Sequence, residues 1–286
     1  MCRFVYYRGT PLKLSALVTE PSHSIVHQSY RSKEREEPLN GDGFGIAWYV
    51  PDESEQPALF KEISPAWNNR NLQQLARVIR SHCMIAHIRA ATPGLPVSQL
   101  NCHPFSWNDF AFAHNGEIGG FKGIRRAMRA QLNHEAYDLI QGSTDSEHIF
   151  ALFAHHYRLN EDSGMTKTEA MAASLKEAIV SIEKLKRERG VTETSRMNLI
   201  LTDGDSAVVT RYCTPGEHEA HSLYIHTGAA YECHRGVCHM KERSESGETV
   251  LVASEPLSKD YGWRPVDNNT LLSIDKHSNV TDIALV

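Results

Sequence analysis

A chain of 286 residues with 41% hydrophobic and 23% charged side chains carries enough apolar material for a full buried core. Its formal charge of −5 offers no basic face to a phosphate backbone, and it shows neither a run of 18 apolar residues nor a secretory-type leader, so nucleic acid and membrane partners are not expected and a cytoplasmic location is. The six cysteines, Cys2, Cys83, Cys102, Cys213, Cys233 and Cys238, are too few for a disulfide scaffold at this length and are expected to be reduced.

The first part of the chain reads as strands and loops. Cys2 to Tyr7, Gly43 to Val50, Cys83 to Arg89 and Asp109 to Ala113 are strand candidates bounded by turn residues, and Leu72, Leu75, Ala76 and Ile79 mark a helix over 71–81. The middle is helical. Ile149, Phe150, Leu152 and Phe153 line a segment that starts near Thr144; Met171, Leu175, Ala178, Ile179, Ile182 and Leu185 form a second apolar stripe, opened by the capping box Thr166-Lys167-Thr168-Glu169 and stopped at Gly190. The last third returns to strands at 197–201, 207–212, 222–226, 249–253 and 271–274, with 52–56, 160–167 and 214–246 read as loops or insertions. Strands, then helices, then strands, without a βαβ rhythm, predict an α+β layered fold with a mostly antiparallel sheet in a single domain over residues 2–286.

The chemistry is concentrated in short motifs. Removing Met1 would give Cys2 a thiol and a free α-amine on one residue, nucleophile and proton acceptor together. An α-amine with a pKa of roughly 7.7–8.0 and a thiol near about 8.5 are matched for that exchange. Arg89 closes a strand after Ala86-His87-Ile88, where a guanidinium can grip a carboxylate through two parallel bonds or serve a structural ion pair. Asn115-Gly116 ends an apolar strand, as an oxyanion-holding corner or an ordinary hairpin turn. Asp145, within Thr144-Asp145-Ser146-Glu147, suits either a substrate ammonium or a helix cap.

In this order the motifs resemble the class II glutamine amidotransferases, the cysteine-type N-terminal-nucleophile (Ntn) hydrolases, over most of the chain. Among compact members without a synthase domain, the branch that includes the amidotransferase-like subunit of a fungal glutathione-degradation complex and a γ-glutamyl hydrolase of ergothioneine biosynthesis shares Asn40-Gly41-Asp42-Gly43-Phe44-Gly45, Asn101-Cys102-His103-Pro104-Phe105 and Ser254-Glu255-Pro256-Leu257. The resemblance implies a four-layer αββα sandwich and the catalytic nucleophile Cys2. It further implies the oxyanion hole Asn115 and Gly116, and substrate contacts at Arg89, Thr92, His114 and Asp145. It implies a small-molecule γ-glutamyl substrate, no cofactor and no metal, and a peptidase-like protein as a possible partner.

Two other readings compete. Cys213, His218, His221, His226, Cys233, His234, Cys238 and His239 crowd into one segment whose donors suit zinc, although no Cys-x2-Cys or His-x3-His spacing occurs there. A partner-dependent subunit, inert alone, is the other. A serine hydrolase is disfavoured by the lack of a Gly-x-Ser-x-Gly elbow.

Overall fold

Phe4-Val5-Tyr6-Tyr7 sets aromatic and β-branched side chains on both faces of a pleat, the pattern of a strand covered on both sides. In the computed structural model, which describes residues 2–34, 39–91, 96–216, 218–234, 236–242 and 249–285, this stretch is the central strand of a larger sheet. In chain order the strands are β1 (Arg3–Lys13), β2 (Phe44–Val50), β3 (Ser54–Glu62), β4 (Arg80–Ile88), β5 (Phe105–Trp107), β6 (Phe110–Glu117), β7 (Arg196–Thr202) and β8 (Ala207–Arg211). They continue with β9 (Tyr224–Gly228), β10 (Tyr231–His234), β11 (Val237–Met240), β12 (Thr249–Ala253), β13 (Arg264–Pro265), β14 (Thr270–Ile274) and β15 (Val280–Ala284). The helices are α1 (Ser15–Val18), α2 (Ile25–Arg31), α3 (Arg70–Val78), α4 (Phe121–Gln131), α5 (His134–Asp138), α6 (Asp145–Asn160) and α7 (Lys167–Glu188).

Two antiparallel sheets stack face to face. One has seven strands in the order β13-β9-β12-β1-β4-β2-β3, the other six in the order β15-β14-β8-β7-β6-β5. Alternation along β1 divides its side chains between layers: Phe4 and Tyr6 point at the second sheet, meeting Ala111, Ala113, Ile200 and Val209, while Val5 and Tyr7 point outward at Leu14, Leu17 and Ile25 of the first helical layer. On the far side Phe112, Leu199 and Leu201 meet Phe150, Phe153, Leu175 and Ile179 of α6 and α7. Each such buried side chain contributes about 1.5–3 kcal/mol. Helices, sheet, sheet, helices is the four-layer αββα sandwich, with antiparallel pairing throughout the ladders.

The capping box at Thr166 is present, with the Thr166 hydroxyl and the Glu169 carboxylate closing the start of α7, and Thr144 with Glu147 does the same for α6. Three expectations are corrected. Ser54 to Gln56, expected to belong to a loop over 52–56, open β3 and turn back along β2. The segment 214–246, taken as a loop apart from 222–226, also folds into the hairpin β10–β11, and Cys233 and Cys238 stand directly opposite each other in it and form a disulfide. Their separation of five residues signals nothing in the linear chain; the turn between β10 and β11 brings them into register. The bond also removes both sulfurs as thiolate donors for the Cys/His metal reading. Among the described residues no helix is long and apolar enough to cross a membrane.

Candidate active site

The expected site residues that the structure describes collect at one end of the sandwich, where β1 begins. Cys2 precedes β1 and is half-buried. Arg3 pairs with Ile88, so the register carried one step further puts Cys2 across from Arg89; its Sγ donates to the Ala90 carbonyl at 3.6 Å. Met1 lies outside the described residues.

Arg89 follows β4 and is only 3% exposed. Its backbone is tied on both sides to one turn: Arg89 N–H donates to the Gly43 carbonyl at 2.9 Å, Asp42 N–H donates to the Arg89 carbonyl at 3.2 Å, and the Asp42 carboxylate accepts from Ala91 N–H at 2.8 Å. Gly43 sits at φ +112°, and a Cβ there would stand 2.8 Å from the Cys102 sulfur, so this turn requires glycine. Of the guanidinium, Nη2 donates to the Pro96 carbonyl at 3.4 Å, and the buried Nη1 has no partner among the described residues. Leaving a buried cationic donor unmet is costly, which suits a group built to meet a ligand carboxylate. Thr92 lies outside the described residues.

The second sheet supplies the opposite wall. Asn115 and Gly116 are still within β6, paired with Asn198 and Met197 of β7, so the dipeptide is a strand end and not a hairpin turn. Gly116 adopts φ +151°, and a Cβ would fall 1.8 Å from the Arg196 carbonyl; no side chain fits. Asn115 is buried, its Nδ2 donating to the Ser254 hydroxyl at 3.5 Å while its Oδ1 has no partner among the described residues. The same hydroxyl accepts from Phe4 N–H at 3.1 Å, so Ser254 joins the start of β1 to the Asn-Gly corner. His114 is a wall residue: its Nδ1 meets the Ser146 hydroxyl at 2.9 Å and its Nε2 the Arg196 carbonyl at 3.2 Å, fastening β6 to α6 and β7. Asp145, the first residue of α6, accepts from Ile118 N–H at 2.8 Å and Ser146 N–H at 2.9 Å. Thr144 holds the cap, leaving Asp145 half-buried beside the strand end.

Behind these residues lie two buried histidines. His87 and His103 lie with ring centroids 4.3 Å apart and planes tilted by 40°; His87 Nε2 meets the His114 carbonyl at 3.1 Å, while its Nδ1 and both nitrogens of His103 have no partner among the described residues. Burial first, then neighbouring positive charge, lowers both, His87 to about 3, so each is neutral near neutral pH. Burial likewise raises the Cys102 thiol, against the opposing pull of Arg89 and Lys61.

Sequence reasoning missed a buried ion cluster on the other flank of Cys2. Arg3 Nε meets Glu255 Oε1 at 2.9 Å with both side chains about 1% exposed, and His23 Nε2 meets Glu255 Oε2 at 2.6 Å. Arg3 and Glu255 are 252 positions apart, and only the pairing of β1 with β12 joins them. The motif Ser254-Glu255 was visible in the chain; its partner was not.

The sequence profile described as glutamine amidotransferases class-II matches residues 13–283. The chain is 38% identical over 296 residues to the probable glutamine amidotransferase DUG3 of Saccharomyces cerevisiae, covering 97% of this chain and 83% of that one. It is 32% identical over 285 residues to the gamma-glutamyl-hercynylcysteine sulfoxide hydrolase of Mycolicibacterium smegmatis, with 99% and 100% covered. A solved glutamine aminotransferase class-II domain protein from Silicibacter pomeroyi superposes with a TM-score of 0.67 at 26% identity, each chain covered in full at 100%. The glutamine phosphoribosylpyrophosphate amidotransferase of B. subtilis shares the fold at a TM-score of 0.61 and 14% identity, this chain spanning 49% of that one. On the match over 13–283 and these two full-length relatives, the chain belongs to the class II glutamine amidotransferases.

Proposed function

We propose that this protein hydrolyses the γ-glutamyl amide bond of glutamine or of a γ-glutamyl peptide or amine through a thioester on Cys2. The observation that carries the reading is the buried Arg89 guanidinium, with Nη1 unmet among the described residues, placed across the strand register from the Cys2 thiol. Arg89 takes the α-carboxylate of the glutamyl head and Asp145 its α-ammonium, with Thr92 a further substrate contact; His114 acts from the wall by holding β6.

With Met1 removed, the Cys2 α-amine takes the thiol proton and the sulfur attacks the γ-carbonyl carbon. The Asn115 Nδ2 and the Gly116 N–H hold the oxyanion. The ammonium passes its proton to the leaving nitrogen, the C–N bond breaks and the amine departs, leaving a γ-glutamyl thioester. Water then gives a proton to the amine as it attacks; the C–S bond breaks, glutamate leaves and the sulfur regains a proton.

The test is release of glutamate from glutathione, other γ-glutamyl peptides, γ-glutamyl amines and glutamine, with intact-mass measurement of Met1 removal. Cys2→Ala should lower kcat by roughly 10⁵–10⁶, the size seen when a nucleophile that works as a unit with its base is lost. Residual turnover near wild type would remove Cys2 from the mechanism. Activity seen only after a peptidase-like protein is added would assign the chain to a partner-dependent assembly.

A further inference from the structure

We propose that Arg3 and Glu255 form a buried clamp that fixes the Cys2 carbonyl and so holds the thiol and amine in attacking position. The clamp rests on the reading of Cys2 as the nucleophile. A first residue has peptide chain on one side only, and strand ends fray unless tied down. Here the tie is the next side chain turning back: Arg3 Nη1 donates to the Cys2 carbonyl at 3.0 Å.

The rest of the guanidinium is committed as well. Its Nε meets Glu255 Oε1 at 2.9 Å, and its Nη2 donates to the Ser32 hydroxyl at 3.0 Å and the Glu34 carbonyl at 3.3 Å. Because the fork is planar and rigid, the Cys2 carbonyl cannot shift and keep its bond to Nη1 without drawing the cation off Glu255.

Glu255 is itself fixed from several directions. Its carboxylate accepts from the Ser32 hydroxyl at 2.5 Å, Lys33 N–H at 2.9 Å and Glu34 N–H at 3.3 Å, and meets His23 Nε2 at 2.6 Å. Its carbonyl accepts from the Gln28 side chain at 3.3 Å. Burial alone would raise its pKa, yet the His23, Ser32, Lys33 and Arg3 contacts outweigh that and hold it well below the usual carboxylate range. The carboxylate thus joins the start of β1, the end of β12 and the segment after α2, and neither residue reaches the reacting atoms. Arg3 and Glu255 are positioning residues.

Arg3→Lys is the informative variant, because it keeps a cation opposite Glu255 but a single nitrogen cannot span both Glu255 and the Cys2 carbonyl. The expected result is a kcat at least tenfold lower with KM within twofold of wild type, together with alkylation of Cys2 by iodoacetamide slowed at least threefold by mass spectrometry. A kcat within twofold of wild type overturns the clamp, and so does a KM that rises as far as kcat falls. Should Arg3→Lys fail to fold, Ser32→Ala decides: it takes one hydrogen bond from each partner and leaves the ion pair, and should lower kcat severalfold at constant KM, an unchanged kcat counting against the proposal. A wild-type protein that releases glutamate from no γ-glutamyl compound, either alone or with a peptidase-like protein added, would sink the functional reading, while the alkylation rates would still judge the clamp.

Discussion

At Cys2 and Arg3 the first strand begins among buried ions and hydroxyls, with Glu255, Ser32 and Ser254 hydrogen-bonded to its backbone and side chains and His23 behind Glu255. At the other end of the same strand, around Thr10 to Lys13, the neighbours are the β10–β11 hairpin with its disulfide, the buried Tyr231 and Met240, and an open cleft of about 620 Å³. One end spends buried polar groups on fixing a few atoms in place, a costly arrangement in which removing one partner leaves another stranded. The other end is held together by apolar packing and a covalent link beside that cleft and carries none of the expected site residues among the described ones. The contrast separates what positions chemistry from what holds the sandwich shut, and each predicts a different response to substitution.

The largest effect on the polar end that leaves Cys2 in place should come from Asn115→Ala. Deleting the amide removes one oxyanion donor, worth about 3–4 kcal/mol of barrier, so kcat should fall by roughly 10²–10³. KM should change little, because the donor acts on charge that develops only in the transition state. Phe4 N–H keeps its bond to Ser254, so the start of β1 stays anchored in the variant. Steady-state kinetics with any accepted γ-glutamyl compound decide the matter; a kcat close to wild type would show that the Asn-Gly corner shapes the wall without holding the oxyanion.

A smaller effect separates the two ends by pH. His87 is lowered to about 3 by burial, while an exposed unfolded chain would titrate it near about 6.5. A folded pKa below the unfolded one means the unfolded state binds protons first, so the stability from burying His87 neutral is complete above about 6.5 and is lost as pH falls toward about 3. Glu255 pushes the same way below the ordinary carboxylate range, since its folded pKa is also depressed. Tm should therefore fall steadily between pH 7 and 4.5. Hydrogen exchange at the two pH values should show amides of Phe4, Val5 and Ile88 losing protection before those of the β10–β11 hairpin. Equal loss at both ends would erase the distinction drawn here.

How much of this was legible in the chain follows the same division. Cys2, Arg89, Asn115-Gly116 and Asp145 stand in short motifs whose residue types carry their chemistry locally, and the structure gathers the described ones at one end of the sandwich. The order of strands, helices and strands and the apolar stripes of α6 and α7 pointed to a layered α+β fold, and the family resemblance implied the four layers that the clusters on both faces of β1 display. Glu255 was quoted as part of a motif without a job, because its meaning comes from Arg3, which arrives only when β12 pairs with β1. His114 shows the opposite case. It sits inside a motif and looks available, yet Ser146 and the Arg196 carbonyl, 32 and 82 positions away, occupy both ring nitrogens. Asp42 stands in a glycine-rich motif with no role legible in the chain; its bonds to the backbone of Arg89 and Ala91 make it the brace of Arg89.

The smallest effect belongs to the far end. Cys233 and Cys238 close a loop of five-residue separation, and the chain-entropy relation for so short a ring gives about 2 kcal/mol of stabilisation. Replacing both with serine should lower Tm by a few degrees. Kcat and KM should stay at wild-type values, since the hairpin packs through Tyr231 and Met240 onto the α1 side of β1, in a cluster that contains none of Cys2, Arg89 or Asn115 among the described residues. Reduction of the wild-type protein should reproduce the Tm change and leave the double-serine variant unmoved. A drop in kcat that follows reduction would mean that the far end of β1 transmits its packing along the strand to Cys2, and the two ends would then have to be treated as one mechanical unit.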